Sequence, residues 1–329
     1  MNISAHNIEI ISVVLLTYNG EKYLQEILDA LKEQRFPLNL KMEIIVIDSG
    51  STDATLNILK TNMGNHSNIR LIQIPNEEFG HGKTRQMAAS IAGGEIILYL
   101  TQDATPADSD WIINMLEPFY INDNISCVLG NQIPRKNAPP CIKREIVKVF
   151  NGLGDRKSIT LSRYYSILDH TLHLDANPFF SDVNSGFRKQ ILLQDVPFED
   201  VNYAEDQLIA RAMLNKGYIK AYNPMAKVFH SHDYGVKDYY RRKFQEQTSR
   251  IANGFVSRKL KLKRNIFFFI KDTWRDWFLV LHDTDYNSRE KIRWLMLTPA
   301  YNFALMLGKI HAVKYFGNNI QYKKRILKK

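Results

Sequence analysis

The chain has 329 residues, 45% of them hydrophobic, and a formal net charge of +10. Its size and apolar content suffice for one large core plus an appendage, which excludes a disordered chain. Its two cysteines, Cys127 and Cys141, show no metal-ligand spacing, which excludes a disulfide scaffold and fits a reducing cytosol. The charge is uneven: residues 257–329 hold seventeen Lys and Arg against five Asp and Glu, a net +12, which leaves −2 on residues 1–256. A near-neutral body with a basic, aromatic tail points to a membrane surface before it points to nucleic acid. The N-terminal MNISAHNIEI has no basic stretch leading into an apolar core, and the first apolar run is too short for a signal peptide, so nothing asks for secretion.

In chain order, four apolar, β-branched runs at 11–17, 43–48, 69–74 and 95–101 read as buried strands. Amphipathic helical patterns lie between them. The first, EKYLQEILDALKEQ, gathers Tyr23, Leu24, Ile27, Leu28 and Leu31 on one face. The second opens at Ser51-Thr52-Asp53 with N-capping chemistry, and the third runs from about Lys83 to Ala92 and ends at Gly93-Gly94. This alternation predicts βαβ units and a Rossmann-like α/β fold, its central sheet mostly parallel and covered by helices on both faces. Ligands of such sheets bind beyond the carboxyl ends of the strands, so the residues just after each run merit attention: Thr17-Tyr18-Asn19, Asp48-Ser49-Gly50-Ser51 and Gln102-Asp103. No G-x-G-x-x-G follows the first strand and no Walker A sequence occurs. Residues 134–175 show no clear period and read as an insert facing a second substrate. A further block from 181 to 234 holds Asn184-Ser185-Gly186, a helix from about Glu205 to Asn215, and His230-Ser231-His232. In the tail, NIFFFIKDTWRDWFLVL and WLMLTPAYNFALMLG are aromatic but interrupted or flanked by charge. The uncharged run from Trp294 to Gly308 has fifteen residues, short of the roughly twenty that span a bilayer. These segments predict amphipathic helices lying at an interface, with the final KKRILKK adding attraction to anionic lipid, or else helices packed back on the body.

VVLLTYNGEKYL, IVIDSGSTDAT, LTQDATP and YAEDQLIARAML fall in the order and spacing of the motifs of glycosyltransferase family 2. The chain resembles that family over roughly residues 10–250. FGHGKTRQ, at 79–86, and HSHDY, at 230–234, resemble the bacterial rhamnosyltransferase branch. The resemblance implies the GT-A fold over residues 1–256, with a donor half to about 133 and an acceptor half from 134; the basic, aromatic composition of the tail predicts a membrane-associating helical region at 257–329. The resemblance also implies donor contacts at Thr17, Asn19, Asp48 and Ser51, although Ser49 stands where the family has a second aspartate; a merely structural Asp48 would cap the next helix. Gln102-Asp103 takes the place of the DxD sequence, with Gln102 replacing an acid. Asp103 then holds Mg2+ or Mn2+ bridging the donor phosphates, or simply orders its turn.

His230 and His232 alternate along an extended segment, which would send them to opposite faces; one, with His232 preferred, completes the metal or phosphate site. Arg85, after Gly80 and Gly82, pairs with the donor diphosphate or is a solvated helix charge; the glycines suggest a close approach of backbone to ligand. The acceptor side takes Asn184, Ser185, Gly186 and Glu205. The implied general base is Asp206, whose bland alternative is a first-turn acid favoured by the helix dipole.

The implied reaction is transfer of a sugar from a nucleotide sugar, L-rhamnose from dTDP-rhamnose, with inversion onto a hydroxyl of a lipid-linked or growing surface polysaccharide. It places the enzyme at the cytoplasmic, inner face of the plasma membrane, in contact with an anionic membrane surface. UDP-glucose is the alternative donor. A non-enzymatic nucleic-acid-binding protein is the distant rival, but it leaves Asp48, Asp103, Glu205 and Asp206 unexplained where acids would repel phosphates.

Overall fold

A computed structural model describes residues 8–65, 68–164, 179–201, 204–256, 259 and 262–318. The four expected strands are β1 (Ile10–Thr17), β2 (Lys41–Asp48), β3 (Ile69–Gln73) and β4 (Ile96–Thr101), with α1 (Glu21–Lys32), α2 (Thr55–Asn65) and α3 (His81–Ile91) between them. There follow β5 (Thr105–Pro106), α4 (Trp111–Ile121), β6 (Ile125–Ile133), α5 (Pro140–Asn151), β7 (Thr160–Ser162), β8 (Asn184–Arg188), α6 (Lys189–Gln194), α7 (Glu205–Asn215), β9 (Ile219–Phe229), α8 (Val236–Ala252), α9 (Leu262–His282) and α10 (Ser288–Asn318). Helix α5 escaped the sequence reading. Its turns are marked by Pro140 at the first position and by Ile142, Ile146 and Phe150 at helical spacing, a short pattern inside an otherwise aperiodic stretch.

The described residues divide into two compact units, one formed from 1–133 and 147–230, the other from 134–146 and 231–329. The first holds a nine-stranded sheet in the order β3-β2-β1-β4-β8-β6-β9-β5, with β7 paired to β9. Strands β1 to β4 are mutually parallel, as short strand–helix–strand connections require. Beyond them the sheet is mixed: β8 enters antiparallel between β4 and β6, and β6 pairs β9 in parallel. Because strand side chains alternate, Val13, Leu15, Val46 and Leu98 join α1, α2 and α4 in one core. Tyr99 points to the other face, where its hydroxyl donates to the Arg85 carbonyl of α3.

The second unit packs α8, α9, α10 and the first turns of α5 around Cys141, Ile142, Tyr239, Val280, Trp294 and Tyr301. Arg144 of α5 ties two helices there, pairing with Asp272 and Asp276 of α9 and donating to Asn302 of α10. Gly308 lets α10 approach α8 closely; a Cβ there would come to 3.0 Å from the Phe244 nitrogen. Tyr301, Ala304 and Leu305 of the fifteen-residue uncharged run are therefore core residues of this unit. Among the described residues no helix is long and apolar enough to cross a membrane. The KKRILKK segment lies outside the described residues.

Candidate active site

Three polar clusters stand where the carboxyl ends of the parallel strands bring their following loops together. Register places Thr17 beside Asp48, and Leu16 beside Thr101, so the loops after β1, β2 and β4 share one edge. The first cluster surrounds Asp48, which is fully buried. Its carboxylate accepts from the Thr17 and Ser51 hydroxyls and from the Gly50 and Ser51 amides. Four donors satisfy a charge that burial would otherwise penalise heavily. Helix α2 is capped by a different acid, since the Thr55 amide donates to Asp53.

The loops after β1 and β2 are sewn together. The Asn19 amide donates to Ser51 Oγ, the Thr52 amide to Asn19 Oδ1, the Glu21 amide to Asp53, and the Ala54 amide back to Glu21. Asn19 itself sits at φ 51°, a left-handed conformation that asparagine tolerates better than most residues. Gln102 closes the assembly from β4: its side-chain oxygen accepts from the Tyr18 amide at 2.7 Å and its nitrogen donates to the Tyr18 carbonyl at 3.1 Å. An acidic residue could do only the first. The replacement of the family's acid by glutamine thus has a local reason.

The second cluster is Asp103, His230 and His232, whose ligand atoms all lie within 4.8 Å of one another. The two histidines do not diverge as alternation would have it, because β9 ends at Phe229 and strand periodicity ends with it. Pairing of Thr105 with Phe229 brings the Asp103 loop to His230. Thr101 Oγ1 donates to Asp103 Oδ1 at 2.7 Å, and Asp103 Oδ2 lies 3.5 Å from His230 Nε2. Gln132 Oε1 lies 3.0 Å from His230 Nδ1; in the tautomer that carries its proton on Nδ1, the Nε2 lone pair faces the carboxylate. Two electron-rich atoms facing each other suit an intervening cation.

The third cluster was only partly legible in the sequence. Arg85, expected at a diphosphate, is buried in α3, with its guanidinium 3.3 Å from Asp182 and 2.9 Å from Glu205. Gly82, one turn earlier, faces the chain itself: a Cβ there would overlap the Glu199 carbonyl oxygen. Gln86, which replaces the family's asparagine, donates to the Leu192 carbonyl and accepts from the Phe198 amide, holding the stretch beyond α6. Asp206 is partly buried in the first turn of α7, after Ala204 at φ 67°. Desolvation, then Glu205 and Asp182, raise its pKa well above the usual carboxylate range, against the opposing pull of the Gln207 amide and Arg85. Burial and Glu205 likewise push Asp182 up to about 6, against Arg85 and a hydrogen bond from Ser185. Arg85 stays charged, because Asp182, Glu205 and Asp206 outweigh its own desolvation.

Of the residues expected on the acceptor side, Glu205 thus pairs with Arg85, and Ser185 donates to Asp182 at 3.0 Å. Asn184 is fully buried, accepting from Trp111 Nε1 and donating to the Asn131 and Ala226 carbonyls. Gly186 lies in the sheet interior facing Leu98 and Phe119. The structure brings neither to the surface. Asp182 was missed: a lone aspartate six residues before a strand's buried arginine carries no periodic signal, and the charged groups beside it, Arg85 and Glu205, are 97 and 23 positions away in the chain.

The model of the family named Glycosyl transferase family 2 matches residues 12–194. An O-antigen chain rhamnosyltransferase of Salmonella typhimurium is 32% identical over 251 residues, which cover 75% of this chain and 74% of that protein. A second O-antigen chain rhamnosyltransferase, from Salmonella anatum, is 31% identical over 261 residues with the same coverage. Among solved structures, a mannosyltransferase from Pyrobaculum calidifontis in complex with GDP-Man and Mn2+ aligns with TM-score 0.58 at 17% identity, over 93% of this chain and 88% of that one. Residues 1–349 of TarS from S. aureus, in complex with UDP-GlcNAc, align with TM-score 0.51 at 20% identity over 93% and 91%. These two likenesses are of fold.

Proposed function

The chain belongs to glycosyl transferase family 2 and has the GT-A fold, and from that membership we propose that it moves L-rhamnose from dTDP-rhamnose, with inversion, onto a hydroxyl of a lipid-linked or growing surface polysaccharide. The observation that carries the chemistry is the carboxylate cluster around Arg85. Asp206, raised in pKa by burial and by two neighbouring acids, is in its ionised form a stronger base than an exposed aspartate, which suits removal of a proton from the acceptor hydroxyl. Glu205 and Asp182 hold Arg85, and Arg85 in turn keeps the cluster from taking up protons too readily. The sugar rests on the two Salmonella relatives, each matched over three-quarters of its length.

On the donor side, the sewn loops after β1, β2 and β4 offer a rigid cradle for a nucleotide. Asp48 acts by fixing the shape of its loop, buried Ser51 links Asp48 to the Asn19 amide, and Asn19 and the Tyr18 ring supply the exposed edge. Asp103 and His232, joined by His230, would hold a divalent cation; one carboxylate with two imidazoles fits Mn2+ better than Mg2+, which prefers an all-oxygen shell. Such a cation, when bound, offsets charge developing on the departing nucleoside diphosphate. Gln132 and Thr101 orient its ligands beforehand. The basic C-terminal quarter supports a seat at the anionic inner face of the plasma membrane, where a lipid-linked acceptor is presented.

A panel of nucleotide sugars, read as released nucleoside diphosphate with Mn2+, with Mg2+ and with chelator, tests this reading. Preference for dTDP-rhamnose with loss of turnover in chelator is expected. Turnover of UDP-glucose with none of dTDP-rhamnose would overturn the sugar assignment, and full activity in chelator the metal assignment.

A further inference from the structure

Helix α9 carries an apolar stripe that nothing in its own unit covers. Trp274 and Phe278 are each 65% exposed, and Phe267, Ile270 and Leu281 are exposed with them. Their spacings of three, four, four and three residues place all five within about 80° of arc, along about 21 Å of helix. Single exposed apolar residues are ordinary on a protein surface; five aligned on one helix, three of them aromatic, are not.

The charges of α9 are sorted by face. Both of its acids, Asp272 and Asp276, turn inward to pair with Arg144. Its exposed charges are all positive: Lys263, Arg264, Lys271 and Arg275. At 100° per residue, Arg264, Lys271 and Arg275 line one flank of the stripe and Lys263 lies at its N-terminal end. Trp277 is anchored from the other side, its Nε1 donating to the Leu295 carbonyl of α10, so α9 presents this face as a fixed surface. A second copy of the chain laid antiparallel against the stripe would face like charge with like along the flank. A surface that is apolar at depth and anionic at its rim complements both features.

We propose that the outer face of α9 is the element that enters the membrane: Phe267, Ile270, Trp274, Phe278 and Leu281 lie among the acyl chains just below the headgroups, and Arg264, Lys271 and Arg275 contact anionic headgroups. This rests on the membrane-surface reading given above and assigns it to one helix face. The helix lies flat; its depth is that of its side chains, and it does not cross.

The test uses the full chain with vesicles of phosphatidylcholine alone or with phosphatidylglycerol. Native protein should bind the anionic vesicles and release in high salt, and Trp274→Ser with Phe278→Ser should weaken binding at least tenfold with an unchanged melting temperature. Lys271→Glu with Arg275→Glu should remove the preference for phosphatidylglycerol. With bromine-labelled lipids, native fluorescence should be quenched, and Trp274→Phe should lose most of that quenching while still binding. If native protein binds no vesicle, the membrane reading itself fails. If native protein binds but the Ser variant binds equally well, or Trp274→Phe is quenched as strongly as native, the assignment to α9 fails and the membrane reading stands. A stable dimer in sedimentation that the Ser variant dissociates would make the stripe a self-contact and overturn the proposal.

Discussion

Asp206 stands among two other carboxylates and one guanidinium, and each neighbour moves its proton affinity in a known direction. The rate should fall as pH drops through its raised pKa, at a pH above the usual carboxylate range, because only the ionised form accepts the proton. Asp182→Asn removes one like charge and should shift that acid limb to lower pH; Arg85→Met removes the opposite charge and should shift it up. Opposite shifts in the two pH–rate profiles are the diagnostic, since loss of fold alone would not produce them. Arg85→Met also leaves buried acids unpaired, at an expected stability cost of about 3–5 kcal/mol by denaturant titration. For Asp182 the folded value of about 6 exceeds the unfolded one of about 4. Its contribution to stability is therefore full below about pH 4 and lost as pH rises through 6. Asp182→Asn should accordingly gain stability relative to native across that interval. Asp206→Asn should lower turnover about a hundredfold or more with donor affinity intact by calorimetry. A residue serving only the helix dipole would leave turnover unchanged and move stability by well under 1 kcal/mol.

Among the loops and helices, the pairing of Gln102 with the Tyr18 backbone is the contact that makes one edge from the loops after β1 and β4. Gln102→Glu keeps the acceptor and loses the donor, setting a carboxylate against the Tyr18 carbonyl. Donor binding should weaken several-fold and stability fall by about 1 kcal/mol, the net value of a hydrogen bond. Calorimetric affinity for the donor nucleotide checks the first and thermal unfolding the second; unchanged values in both would remove Gln102 from the cradle. In α3 the sensitive position is Gly82. A methyl there meets the Glu199 carbonyl, so Gly82→Ala should cost about 1–3 kcal/mol and disturb Arg85 one turn on.

Over the whole molecule, residues on both sides of Ser257 share one core. Tyr239 and Ile251 of α8 are buried with Trp294, Tyr301, Ala312 and Phe316 of α10. A chain ending at Ser257 should therefore expose α8 and aggregate or melt well below the full chain, which differential scanning calorimetry and sedimentation would show. Loss of vesicle binding in such a truncation would not separate membrane contact from loss of fold; point changes on α9 do.

The sequence by itself determined the parallel half of the sheet, its helices and the residues that follow each strand, because strand and helix periods, caps and polar strand ends are local signals carried by neighbours in the chain. Thr17, Asp48, Ser51 and Asp103 were legible for that reason, and the carboxylate at 206 was legible by its motif. Tertiary structure alone decided who pairs with whom. It placed Arg85 with Asp182 and Glu205, set Gln102 on the Tyr18 backbone, turned His230 and His232 to one side, and buried Asn184 in the core. Each of these depends on segments tens to more than a hundred residues apart meeting at one point, and burial then converts the meeting into shifted proton affinities. The basic charge of the tail was plain from composition, but which face of α9 its acids vacate follows only from Arg144 reaching across from α5.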